Sequence, residues 1–438
     1  MSAVLETGTR WRNWGRSQDL TPLHVARPAS VDDVIAVVDA ARTRGLTVKA
    51  IGASHSFTGI AATHGVQVDV GLLDGVYAVD GTRVTLGAGT NLYQLPALLD
   101  PLGLALTNMG DIDRQTIAGA TSTGTHGTGA AFGGLATQVV ALTLVTAAGE
   151  ILRVSETENA ELLPAARLGL GALGIVVDIT IECVPSFSLN AVEIPEPLGD
   201  VLDEWMTRST AVDHFEFYWF PHTETALTKS NTRLPAGAPV VRQNPMAAWF
   251  DDEFIANGVY RVTCALGSVM PGMIPTVNNV ADKLVAQRDV TDVSHKIFVA
   301  NRDVRFREME YAIPRENVPE ALRAIQRVVA DNGWKISFPV EVRVAAPDDN
   351  WLSTAHGRES GYIAVHKYYR EDPTAYFEAV EEIMIGFGGR PHWGKMNYRD
   401  AESLRTVYPR FDDFLAVRNE LDPSRLFANE YLDRVLGK

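Results

Sequence analysis

Between Asn108 and Gly134 the chain reads "NMGDIDRQTIAGATSTGTHGTGAAFGG", with seven glycines and six threonines or serines in 27 positions. Such a tract does not fold for its own packing, because glycine loses the most conformational freedom on ordering. Its order must come from what it touches. It offers closely approachable backbone N–H groups and short hydroxyls, which suit a diphosphate and a polar ring system. No lysine stands in the Walker position, so this is not a nucleotide-hydrolysis loop.

A second small-residue stretch precedes it. "KAIGASHSFTGIA", Lys49 to Ala61, follows a strand-like "LTVKAIG" and sets His55 among glycine, alanine and serine. Taken alone, such a histidine is either satisfied structurally or bonded to a ligand, and the residues leave both open. A third stretch, "GLGALG" at Gly169–Gly174, matches GxGxxG. A dinucleotide fold needs a strand before this motif and a helix after it. Here "NAELLPAARLGL" reads as helix and "IVVDITIECV" as strand, so the order is inverted. A helix stop and tight turn is expected, with glycines that let backbone approach a cofactor.

At 438 residues the chain exceeds one core, so two or more domains are expected. Its net charge of −15 argues against a nucleic-acid or anionic-membrane surface, since both need a cationic face. No apolar run reaches the roughly 18 residues of a spanning helix. The start of the chain lacks a basic-then-apolar signal pattern, so a cytoplasmic location is expected. The two cysteines, Cys183 and Cys264, are far apart and fit neither a disulfide framework nor a metal site; both are expected to be buried thiols.

The first third alternates helix and strand signals. Ser30 and Asp33 open "SVDDVIAVVDAARTRG" as a capping box, Val34, Val37, Val38 and Ala41 follow at helical spacing, and Gly45 stops the helix. Asp-Gly pairs punctuate short strands between Val66 and Gly89. Near Pro185 the texture changes: "DHFEFYWFP" and "VRFREMEYAI" alternate, "ENVPEALRAIQRVVADNG" is an amphipathic helix, and "FPVEVRVAAPD" and "GYIAVHKYY" are strand-like. Long strands crossed by helices predict one large antiparallel sheet, with a boundary near residue 186.

"IGASHSFTGIA", "NMGDIDRQTIAGATSTGTHGTG" and "LGALGIV", together with "EVR" at 341–343, "AVHKY" at 364–368 and "RPHWGK" at 390–395, resemble the vanillyl-alcohol-oxidase flavoprotein superfamily. Within it the match is to the aldonolactone oxidoreductases, with the alditol oxidases as sister group. The resemblance implies an α+β fold: a two-lobed PCMH-type FAD-binding domain over 1–186, then a substrate or cap domain over 187–390 with a large antiparallel sheet flanked by helices. Residues 391–438 would return to the FAD domain. It implies FAD bonded covalently through His55. The diphosphate would lie along Ile51, Gly52, Ala53, Ser54, His55 and Ser56 and along Thr123, Gly124, Thr125 and His126. Gly110, Asp111, Thr116 and Gly119 would sit near the flavin, and Gly174 and Ile175 near the adenylate half.

The resemblance also places the reacting groups. Strand alternation puts Glu341 and Arg343 on one face, and His366 and Tyr368 on one face of the next strand. Such polar groups are poor core material unless satisfied; a solvated face with an ion pair is the other reading. By resemblance, Glu341, Arg343, His366 and Lys395 are catalytic, and Asp111, Glu341, Arg343, Tyr368 and Lys395 bind substrate. Hydride would pass from a secondary carbinol to flavin N5 and the alcohol proton to His366 or through a bridging water, with Arg343 and Lys395 stabilising developing negative charge. Asp111 replaces the serine of alditol oxidases and points to a sugar 1,4-lactone, oxidised at C2 to an ascorbate-type product; an alditol oxidase acting on xylitol or sorbitol is the alternative. Gly110 leaves a path for dioxygen, so peroxide formation is expected, with a dehydrogenase using another acceptor as the alternative.

Overall fold

The computed structural model describes residues 5–235, 238, 270–284, 287–300 and 304–438. The first lobe is a four-stranded sheet in the order Glu6–Thr7, His24–Ala26, Val66–Asp69, Val48–Ile51. The last three strands run parallel, as a crossover helix requires. That helix, Val31–Thr43, starts where the Ser30 hydroxyl accepts from Asp33 N–H at 3.2 Å. The Asp33 carboxylate accepts in return from Ala29 N–H at 3.1 Å, so the box closes one residue earlier than its usual form. Val34, Val37, Val38 and Ala41 are fully buried, and Gly45 follows with φ +65°.

The second lobe is a five-stranded antiparallel sheet in the order Ile151–Ser155, Val139–Val145, Ile175–Glu182, Arg83–Gly87, Val76–Asp80. "GLGALG" is the turn that feeds it. The short helix Leu163–Ala166 ends, Leu170 and Gly171 take φ +55° and +60°, and the chain enters the Ile175–Glu182 strand. The stretch "NLYQLPALLDPLG" forms the short turns Leu92–Gln94, Leu95–Leu99 and Asp100–Leu102 rather than one helix; Pro96 and Pro101 would each deny an interior N–H to a longer one.

The large sheet has eight strands, ordered Arg288–Val293, Ser188–Pro197, Thr225–Arg233, His214–Trp219, Val340–Ala345, Ser360–Tyr368, Phe306–Pro314, Arg390–Pro391, all antiparallel. Strand alternation sorts its side chains onto two faces. Phe215, Phe217, Val342, Ile363, Val365, Met309 and Tyr311 form one face, buried against Trp205 and the helices Val318–Asp331 and Thr374–Gly386. Glu216, Tyr218, Glu341, Arg343, His366, Glu308 and Glu310 form the other, which is what positions the site. Cys183 is buried; Cys264 lies outside the described residues.

After Pro391 the chain crosses back to the first lobe. Val48 N–H donates to Leu426 C=O at 2.8 Å and Phe57 N–H to Gly394 C=O at 2.6 Å. Asn429 caps the helix Glu430–Leu436 by accepting from Leu432 N–H at 2.9 Å. Its amide also donates to the carbonyls of Gly59, Ile60 and Ala62 at 2.9, 3.1 and 2.8 Å, bolting the C-terminal helix to the turn that follows His55. Asn429→Ala removes both the cap and the bolt, and should lower the unfolding free energy by roughly 2 kcal/mol, read from urea denaturation.

Candidate active site

The Val48–Ile51 strand ends in a backbone that cannot continue extended. Ser54 sits at φ +60°, a left-handed conformation that a non-glycine residue holds only when its surroundings over-determine it. Here they do: Trp11 Nε1–H donates to Ser54 Oγ at 2.9 Å, and Trp14 N–H donates to Ser54 C=O at 2.8 Å. The turn presents His55, whose ring stacks on Trp14 with centroids 5.6 Å apart. Burial, aided by Lys395 and Arg114, pushes the His55 imidazole down to about 4. It is therefore neutral near pH 7 and keeps a nucleophilic lone pair.

A long cleft opens beside this turn. Ile51, Gly52, Ala53, Ser54, His55 and Ser56 form one wall; Thr116, Gly119, Ser122 and Thr123 a second; Leu170, Gly171 and Gly174 a third. The walls are main chain and short side chains, as a long polar cofactor requires. A Cβ on Gly52 would lie 2.1 Å from Thr116 Oγ1, the hydroxyl that caps the Ile117–Thr123 helix. Glycine there lets two walls close on each other. Lys49 spans the far end, donating to Gly171 C=O at 3.0 Å and Phe427 C=O at 3.2 Å. Complete burial brings it down to about 7.

A second cleft of about 350 Å³, lined by Trp14, Phe57, Ile112, His392 and Lys395, shares His55, Ser56, Gln115 and Thr123 with the first. His55 stands at their junction. The residues thus fit a flavin: a trough of backbone and short side chains, a neutral imidazole at its mouth, and a lysine in the adjoining space.

Behind the second cleft lies the polar face of the large sheet. Arg343 is held by Glu341, by Glu216 at 2.9 Å and by Asp111 at 3.2 Å. Lys229 is 3.6 Å from Glu216, and the Tyr218 hydroxyl donates to Glu341 at 3.1 Å. Burial disfavours the guanidinium, yet Glu341, Asp111 and Glu216 hold it firmly protonated. Nearby, Glu308 bridges Lys395 and His366, the latter at 3.5 Å. Burial opposes its charge, but Lys395 and His366 bring the carboxyl down to about 2. Lys395, against its own burial, is held above the usual lysine value by Glu308 and Glu310.

Of the expected site residues, Ile51 to Ser56, Thr116, Gly119, Thr123 and Gly174 line the long cleft, and Lys395 the short one. Glu341, Arg343, His366 and Tyr368 sit together on the sheet face, and Asp111 joins them through Arg343. Gly110, Gly124, Thr125, His126 and Ile175 line neither cleft. Gly124 ends its helix at φ +86° and turns the chain toward the large sheet, where Gly129 N–H donates to Val344 C=O at 2.8 Å. His126 consequently points away from the trough, with Nε2 3.2 Å from Glu310. Ile175 packs in the core at 1% exposure.

His126, Glu310 and His392 bring one ligand atom each within 4.8 Å of one another. Gly394 N–H donates to His392 Nδ1 at 3.0 Å, and burial pushes that ring down to about 3, so Nε2 carries the single ring proton. Metal-ligating histidines have the opposite polarity, donating from the nitrogen that does not ligate. The trio is a His126–Glu310 pair with His392 beside it. Sequence reading passed over Glu216, Tyr218, Glu308 and Glu310, although the signal was present: the apolar positions of "HFEFYW" and "FREMEY" alternate with them.

The family model for D-arabinono-1,4-lactone oxidase matches residues 179–435, and one for an FAD-binding domain matches 22–155. The chain is 42% identical to an L-gulono-1,4-lactone dehydrogenase of Mycobacterium tuberculosis over 98% of its length and 99% of that protein. It is 36% identical to an L-gulonolactone oxidase of Bos taurus, over 98% of each. Solved structures of a cholesterol oxidase from Brevibacterium sterolicum share the fold at 18% identity, with TM-score 0.81 over 99% of this chain and 100% of the other. The chain is a member of the D-arabinono-1,4-lactone oxidase family and an FAD-dependent oxidoreductase.

Proposed function

We propose that the protein oxidises a sugar 1,4-lactone, L-gulono-1,4-lactone or a close relative, at a secondary hydroxyl. It would do so with FAD bonded to His55 and dioxygen as acceptor, in a cytoplasmic setting. The observation that carries the reading is the charged face beside the His55 junction. There Arg343 is tied to Asp111 and Glu341, and Lys395 opens into the short cleft. When bound, the flavin supplies the acceptor for the hydride that leaves the carbinol carbon.

The chain's own residues do the rest. Glu341 accepts hydrogen bonds from lactone hydroxyls and orients the ring. Asp111 and Tyr368 add to that grip. Arg343 and Lys395 stand ready, already desolvated, for the negative charge that develops as the alcohol proton departs. His366 receives that proton at Nε2, since its Nδ1 faces the Pro339 carbonyl at 2.9 Å and is held as a donor. His55 would hold the flavin, its imidazole kept neutral by burial.

A second reading concerns the acceptor. The 42%-identical relative is named a dehydrogenase. This favours an acceptor other than dioxygen, and the Gly110 variant below tests the choice.

Oxygen consumption with gulono-, galactono- and arabinono-1,4-lactones against xylitol and sorbitol should show faster turnover of the lactones, with equimolar peroxide. Faster polyol turnover would end the lactone reading. His55→Ala should release its FAD on acid precipitation while the parent pellet stays yellow; equal retention contradicts the bond. Gly110→Ala should slow reoxidation by dioxygen while sparing dye reduction, and an unchanged oxygen rate removes Gly110 as the gate.

A further inference from the structure

Glu308 lies on the Phe306–Pro314 strand, directed to the inner face of the large sheet, and is 4% exposed. Its two oxygens are divided between two side chains. Oε2 takes the Lys395 ammonium, and Oε1 faces His366 Nε2 at 3.5 Å. His366 is fixed on its far side by Pro339 C=O at 2.9 Å and edge-on by Phe306 at 5.0 Å. The loop bearing Lys395 is pinned to the same strand on both sides: His392 N–H donates to Glu310 C=O at 3.0 Å and Met396 N–H to Glu308 C=O at 2.8 Å. The freedom left to Lys395 is that of its side chain, and Glu308 takes it up. The other charges acting on the pair are Glu310, from the same strand, and Asp111, on the Lys395 side.

We propose that Glu308 is a positioning residue that sets Lys395 and His366 together, so that the ammonium beside the flavin site and the imidazole that takes the alcohol proton work as one unit. This rests on the roles given to Lys395 and His366 above. A carboxylate shared in this way does two things. It holds both groups at one geometry, where a displacement of about 1 Å can cost about 100-fold in rate. It also turns the isolated cation next to the flavin into an ion pair, which tempers the positive field there. Removing the carboxylate charge leaves the ammonium opposed only by the more distant Glu310 and Asp111, and nearby positive charge favours the reduced, more negative flavin.

The test uses the flavin-loaded enzyme and three readouts: midpoint potential, stopped-flow flavin reduction by L-gulono-1,4-lactone, and thermal stability. Glu308→Gln should shift the flavin potential upward and slow reduction by about 100-fold. Glu308→Asp, which keeps the charge, should hold the parental potential and recover part of the rate. Glu308→Gln combined with Lys395→Met should be no slower than Lys395→Met alone, because groups acting as a unit are not additive. An unchanged potential in Glu308→Gln, or losses that multiply in the double variant, overturns the proposal. If Glu308→Gln does not fold, the same cycle is run with Glu308→Asp. Lys395→Met reducing at the parental rate would instead defeat the underlying reading of the substrate side, whereas a slow Lys395→Met beside a silent Glu308→Gln defeats only the role of Glu308.

Discussion

A charge taken out of water is costly unless an opposite charge meets it, and the inner face of the large sheet obeys that constraint throughout. Arg343 is met by Glu341, Glu216 and Asp111, Lys229 meets Glu216, and Glu308 meets Lys395 and His366. Buried ion pairs of this kind are weak contributors to stability, since desolvation consumes most of their attraction. The sheet is held instead by its other face, where aromatic and branched residues pack against helices. Stability and chemistry are thus assigned to opposite sides of the same strands by the pleat alone.

The cofactor trough follows a different logic. It is built from segments far apart in the chain, the His55 turn, the Thr116–Thr123 helix and the Gly169–Gly174 turn, and none has enough side chain to pack by itself. The returning C-terminus holds the first of these: Phe427 reaches Lys49, and Gly394 and Asn429 reach the segment that follows His55. Since Gly394 also neighbours Lys395, one loop joins the trough to the charged face.

Much of this was legible in the residues. The Val31–Thr43 helix, the inverted order around "GLGALG" and the antiparallel sheet all follow from local pattern, because periodicity and turn residues act within a few positions. Alternation also put Glu341 with Arg343 and His366 with Tyr368. Two features were not legible. His126 sat in a glycine-rich run that reads as trough, whereas past the left-handed Gly124 it meets Glu310 on the large sheet. Glu308 and Glu216 alternate with apolar residues whose pattern alone marks a strand.

By itself the sequence determined which residues would share a strand face, where helices would begin and stop, and that two glycine-rich stretches needed something external to order them. These are consequences of backbone geometry and of glycine's entropy, and they are local. Only the tertiary structure decided which charges would meet. Glu308 and Lys395 are separated by 87 positions and Arg343 and Glu216 by 127, and no periodicity spans such gaps. Strand order and the C-terminal crossing bring them together, and the cost of leaving any of them unpaired in a dry interior keeps them there.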